Sequence, residues 1–218
     1  MRKGISGLLV LLAAAFAFAG GTPVMNFPLK DTDKPAFEKN FSVLSAHKVI
    51  RGNFRQTKTV PQIKRNFVSE GTFSIAQGYG ILWNVNKPFP STLVITADKM
   101  IQKSAQGKTS VMDASENAAF RHFSDMIQSA FSGKPKELYK HFSVYYCTTG
   151  KNSWTAGFVP LESSVRSAVS ALELTGGASA LETVRIQSAD GGTTLYEFSA
   201  ETSDDALTAK EKESFGTH

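Results

Sequence analysis

Cys147 is the only cysteine in this 218-residue chain, so no internal disulfide can form and the fold must rest on packing alone. It sits in the apolar run FSVYYCTT, where a thiol is expected to be buried and inert, because reactivity needs an electropositive and partly open setting. His141 shares a strand face with it but lies roughly 20 Å away at the usual rise per residue. The two make no dyad. Recognisable catalytic motifs are missing as well: no GxSxG, HExxH or CxxC occurs, and His47, His122 and His141 have no metal-ligand spacing to a neighbouring carboxylate. His122, between Arg121 and Phe123, reads as a surface residue, and nothing in the sequence brings Glu70 and Asp98 together. These gaps argue against an enzyme, and neither a cofactor nor a metal site is expected.

A long apolar run is present only at the start. Arg2 and Lys3 precede an apolar stretch from Ile5 to Phe18, and Ala17-Phe18-Ala19 offers a small-residue cleavage site before Gly20, the layout of a secretory leader. Residues 1–19 are therefore expected to be removed. A membrane anchor is the competing reading, but the run is shorter than the roughly 20 residues a spanning helix needs. No Cys stands at the cut, so lipid attachment there is excluded. The product is expected to be soluble and exported.

No Pro- or Ser-rich linker divides the remainder, which fits one domain with one sizeable core over residues 20–202. A charged tail follows at 203–218, where Leu207 and Phe215 could dock a last short helix. Loss of Arg2 and Lys3 takes the formal net charge from +5 to +3. Arg51, Arg55, Lys58, Lys64 and Arg65 form the densest basic group, too dilute for nucleic acid. A solvated sheet face accounts for them, with attraction to anionic head groups or an acidic partner as the second reading.

The hydrophobic period then sorts the chain into elements. Asp31 to Asp33 supply caps and Pro35 suits a first turn, with Phe37, Phe41 and Leu44 at helical spacing, so a short helix is expected to end near His47. From Val49 the period becomes that of strands: Val49–Thr59, Arg65–Ile75, Ile81–Asn86, Thr92–Thr96 and Met100–Ser104. A second helix is expected between a capping pair, Asp113 and Glu116, and a stop at Gly133 and Pro135. Its Ala119, Phe120, Phe123, Met126, Ile127, Ala130 and Phe131 fall on one face. Strands resume at Phe142–Thr148, Ser153–Leu161, Val169–Thr175, Thr183–Ser188 and Thr194–Ala200, with Asp190-Gly191-Gly192 as a hairpin turn. The spacings are those of hairpins. About ten strands and two helices give an α+β fold with a large, curved antiparallel sheet whose concave face the helices cover.

The segment from Ile50 to Thr96 carries the most information. Its alternating strands, Gly-Tyr-Gly turn and aromatic series suit a surface that holds something apolar. Phe67, Phe73 and Ile75 share one phase, Ile81, Trp83 and Val85 another, and Leu93 and Ile95 follow in the next strand. Together with Phe120, Phe123, Met126, Ile127 and Phe131 they are the candidate lipid-binding lining, although a dry, filled core would use the same residues. Phe and Met repack readily around a flexible guest.

The order GNFRQT, SEGTFSI, then GILWNVNKPFPSTLVIT resembles the LolA-like outer-membrane lipoprotein carriers, a periplasmic family of Gram-negative bacteria. The motifs are Phe54-x-Gln56, the run from Glu70 to Ile75, and Trp83 with Pro88. The resemblance implies an unclosed antiparallel β-barrel, a half-barrel, with a helical lid over a hydrophobic cavity that receives the acyl chains of a lipoprotein, or of another lipid cargo, between an inner-membrane donor and an outer-membrane acceptor. It also implies a periplasmic monomer with no role for nucleic acid. A sensing module built on the same half-barrel is the alternative. One departure stands out: the family's Arg in the strand before the Trp, which ties lid to barrel, is replaced here by the neighbourhood of Gln77 and Tyr79, with no basic residue between Arg65 and Lys87.

Overall fold

Among the described residues, alternation of side chains along eleven strands builds one antiparallel sheet. In the computed structural model, which describes residues 23–115 and 135–216, the strands of the first half are β1 (Val49–Val60), β2 (Arg65–Ala76), β3 (Gly80–Lys87), β4 (Ser91–Ile95), β5 (Lys99–Ser104) and β6 (Thr109–Asp113). The second half holds β7 (Phe142–Thr148), β8 (Trp154–Pro160), β9 (Val169–Gly176), β10 (Leu181–Ser188) and β11 (Thr193–Asp204). Each half is a meander, and the first and last strands pair to join them, from Val49 opposite Asp204 to Thr59 opposite Thr193. β6 and β7 end the sheet without pairing to each other. The sheet is antiparallel, as the hairpin spacings imply, and the barrel is open.

Ten of these strands follow the expected pattern. β6 was hidden in sequence because Thr109–Asp113 is exposed throughout, so no buried face marks it; it forms by pairing with β5, Met100 opposite Met112. β11 runs beyond Ala200 to Asp204, carried across an irregularity discussed below. The free edge of β7 is covered by the chain before the first helix: Leu29 N donates to Val144 O and Tyr146 N to Phe27 O, both at 2.9 Å. This occupies backbone groups that an open edge would offer to another chain.

Helix α1 (Lys34–Phe41) starts with Pro in its first turn, but Asp33 makes no capping bond through its side chain; an ion pair between Lys34 and Asp31 at 2.6 Å stands there instead. The helix stops at Phe41 and a 3₁₀ turn continues to Ser45, earlier than the expected end. Its two phenylalanines are completely buried, and their rings stack at 5.2 Å. They fill the β7–β10 half of the inner face against Tyr146, Trp154 and Phe158. Burial of each such ring stabilises by about 1.5–3 kcal/mol. Helix α2 (Ser163–Arg166) is a single turn before β9, and α3 (Ala209–Phe215) closes the chain. The expected lid, from Asp113 to Gly133, lies almost wholly outside the described residues.

The opposite, outer face carries a second core. Val49, Ala76, Leu82 and Val94 are buried there beneath Phe215 of α3, with Leu207 beside them. α3 begins with a reciprocal capping box between Thr208 and Glu211, which satisfies orphan amide groups of its first turn. Glu211 is 6% exposed. It accepts hydrogen bonds from Arg51 Nε and Nη2, both at 2.7 Å, and from Ser74 Oγ at 2.6 Å. Those donors hold its carboxyl down at about 2.

Candidate functional site

Strand register decides which of the sequence-derived residues meet. Phe73 lies opposite Trp83, and Trp83 opposite Leu93; Ile75 lies opposite Ile81, and Ile81 opposite Ile95. Because directly opposed residues point to the same side of a sheet, these six form two rungs on the inner face. Val85, opposite Gly71 and Ser91, continues that face toward the strand ends. Phe67 has the same phase but pairs with Lys58 at the far end of the β1–β2 hairpin and is 48% exposed, away from the others. Phe120, Phe123, Met126, Ile127 and Phe131 lie outside the described residues.

Trp83 is the centre of an aromatic cluster that periodicity alone did not reveal. Its ring lies 4.2 Å from Phe54, 5.1 Å from Tyr196, 5.8 Å from Phe73 and 6.0 Å from Phe198, centroid to centroid. Tyr196 and Phe198 come from β11 and are brought to Trp83 by the pairing of β1 with β11, while Phe54 of β1 reaches it across the β1–β2 and β2–β3 hairpins. Alternation in TTLYEFSA marks Tyr196 and Phe198 as one face; the partner of that face is not local information. Burial raises the pKa of the Tyr196 phenol.

Two glycines make room for this cluster. A Cβ on Gly52 would fall 2.8 Å from the Phe73 ring, and one on Gly71 would fall 2.9 Å from the Phe54 ring and collide with the backbone oxygen of Asn84. Each ring therefore lies over a neighbouring strand where no side chain stands. Both glycines belong to the motifs GNFRQT and SEGTFSI.

Beside the cluster is a cavity of about 180 Å³, walled by Ile50, Phe73, Ile75, Leu181 and Phe198 and edged by Glu201 and His47 among other polar groups. It sits at the junction of β1, β2 and β11. Burial pushes the Glu201 carboxyl upward. Ile81, Trp83, Val85, Leu93 and Ile95 share the face but do not wall the cavity.

The remaining candidates have other duties. Gln77 Nε2 donates to Ser45 O at 2.7 Å and its amide to Lys48 O at 2.9 Å, tying the β2–β3 turn to the segment after α1. Tyr79 projects to the other side, 6.1 Å from Phe215. Of the basic group, Arg51 is taken by Glu211 and Asp204 and Arg55 by Glu70, while Lys58, Lys64 and Arg65 are exposed. Cys147 is half-buried, and burial pushes its thiol up, which lowers its reactivity. Among the described residues no group of three His, Cys, Asp or Glu could hold a metal ion, and no helix is long and apolar enough to cross a membrane.

An open antiparallel half-barrel with an apolar inner face defines a class of binding proteins rather than one activity. The family model for outer membrane lipoprotein carrier protein LolA matches residues 45–211, and the chain belongs to that family. No curated protein sequence matches it. Among solved structures it is similar to an outer membrane lipoprotein-sorting protein domain from Vibrio parahaemolyticus, described there as putative, at 10% identity and TM-score 0.48, over 84% of this chain and 97% of that one. A LolA superfamily protein from Nitrosomonas europaea gives 7% and 0.44, over 80% and 94%. The lipoprotein LppX of Mycobacterium tuberculosis gives 12% and 0.45, over 82% and 100%.

Proposed function

We propose that this protein is a periplasmic carrier that takes the acyl chains of a lipoprotein, or of another lipid, onto the inner face of its half-barrel and conveys them toward the outer membrane. A donor at the inner membrane would load it and an acceptor at the outer membrane would empty it, with the carrier acting as a monomer and performing no catalysis. The observation that carries this reading is the continuous apolar inner face, from Ile95 through Trp83 and Phe73 to Phe198, with a cavity opening beside it. Apolar lining needs no further chemistry: ten sequestered methylenes are worth about 8 kcal/mol, a dissociation constant near the micromolar range.

At about 180 Å³ the cavity is smaller than the roughly 300–1,000 Å³ typical of ligand pockets. Uptake of a long chain therefore requires the inner face to open, with Trp83, Phe73 and Phe198 parting. The test is whether protein purified from the periplasm carries lipid, read by native mass spectrometry and organic extraction, and whether it binds a fluorescent acyl probe. Phe73→Asp is expected to abolish probe binding. An empty protein that ignores acyl probes would sink the proposal.

A further inference from the structure

The pairing of β1 with β11 contains one irregularity, and it falls beside the cavity. Asn53 opposes Ser199 and Arg51 opposes Thr202, so Gly52 alone faces two residues, Ala200 and Glu201. This is a β-bulge, and Ala200 takes the left-handed conformation at φ 52°, which a residue with a Cβ adopts only against a steric penalty. Its effect is a change of face. In unbroken alternation Glu201 would follow Glu197 and Ser199 to the outer side; the extra residue delivers it to the inner side, at the edge of the cavity with Ile50, Phe73 and Phe198.

The carboxylate so placed is half-buried and has no hydrogen-bond or ion-pair partner among the described residues. Its upward pKa shift has burial as the single cause. Elsewhere this protein pairs its sequestered acid thoroughly: Glu211 receives Arg51, Ser74 and Thr208. An unpaired acid against an apolar wall is unfavourable for folding, and a strained backbone is what holds it there. Bulges are concentrated where a side chain is re-aimed for use. Among the described residues His47 is the other titratable group that edges the cavity, and it is exposed.

We propose that Glu201 forms a polar subsite at the cavity, selecting amphiphiles by the first polar group beyond the alkyl chain. A hydrogen-bond donor or a cation, such as an alcohol, an amide N–H or an ammonium, is accepted, and a free carboxylate is refused. This rests on the lipid-carrier reading and narrows it: the tail lies on the face of Phe73 and Phe198, and the head group meets Glu201. A free fatty acid is then a poor cargo, while an acyl chain joined through an amide or carrying an amine is a good one.

The experiment measures displacement of the neutral probe N-phenyl-1-naphthylamine at neutral pH by decylamine, decanol and decanoate, all below their micellar concentrations. In the unaltered protein decylamine is expected to bind best and decanoate about tenfold or more weaker than decylamine, a difference typical of one like-charge contact. Glu201→Gln is expected to bring the three within about twofold of one another while decanol affinity holds, and Glu201→Lys to favour decanoate. Circular dichroism melts check that both variants fold. Equal binding of all three ligands by the unaltered protein, or an unchanged ranking in Glu201→Gln, overturns the subsite while leaving the carrier reading intact. Binding of none of them overturns both.

Discussion

Arg51 in the first strand grips Glu211 in the last helix with two hydrogen bonds of 2.7 Å, from Nε and Nη2, across 160 residues of sequence. Ser74 Oγ completes the site at 2.6 Å. The pair anchors α3 to the outer face of the sheet, on the side away from the cavity.

Stability is therefore expected to fall in acid. The Glu211 carboxyl is lowered from 4.5 to about 2, and a depressed carboxyl stabilises fully only above its unfolded value. Its contribution is present above pH 4.5 and is lost as the pH falls from there through about 2. Urea midpoints taken across that range should decline in the unaltered protein and decline less in Glu211→Gln.

Removal of one partner at neutral pH is a separate test. Glu211→Ala leaves Arg51, whose side chain is 22% exposed, facing Asp204 at 3.5 Å as its remaining acid. A loss of about 3 kcal/mol is expected in equilibrium unfolding, the usual size for a broken sequestered pair. Acyl-probe binding by the folded fraction should be unaffected, because the outer face takes no part in the cavity.

The two glycines under the aromatic rings should differ in their tolerance. Gly52→Ala meets the far edge of the Phe73 ring, which can rotate or shift, so a cost of about 1–3 kcal/mol is expected together with altered probe affinity. Gly71→Ala meets the backbone of Asn84, which cannot yield without parting β2 from β3. Thermal unfolding of the two variants should place Gly71→Ala well below Gly52→Ala.

The protein has two tryptophans in contrasting positions, which gives a spectroscopic test. Trp154 is 1% exposed and its Nε1 donates to Gly177 O at 3.0 Å, so its surroundings should not change when a ligand enters. Trp83 is half-buried in the aromatic cluster. The emission change on adding an acyl ligand is expected to survive Trp154→Phe and to vanish in Trp83→Phe.

Much of this architecture was legible from local pattern. Strand alternation gave ten strands and the shared phase of Phe73, Ile75, Ile81 and Trp83, because one buried face imposes period two on each strand. What escaped was non-local. β6 has no buried face to reveal it. Tyr196 and Phe198 reach Trp83 only through the pairing of β1 with β11, and Glu201 reaches the inner face only through a bulge whose signal, an Ala at φ 52°, leaves no trace in residue type. α1 stops at Phe41, whose ring meets Trp154 and Phe158.

The seam between β1 and β11 also sets a timetable. A nascent chain that has delivered Val49–Val60 but not yet Thr193–Asp204 has two separate meanders and no cavity, since Ile50 and Phe73 belong to one, Leu181 to the other, and Phe198 to the strand that joins them. Contacts so distant in sequence form slowly, after the loop between them has been closed. The cavity thus forms only once β11 is in place, and a chain without it has no pocket in which to trap an apolar ligand.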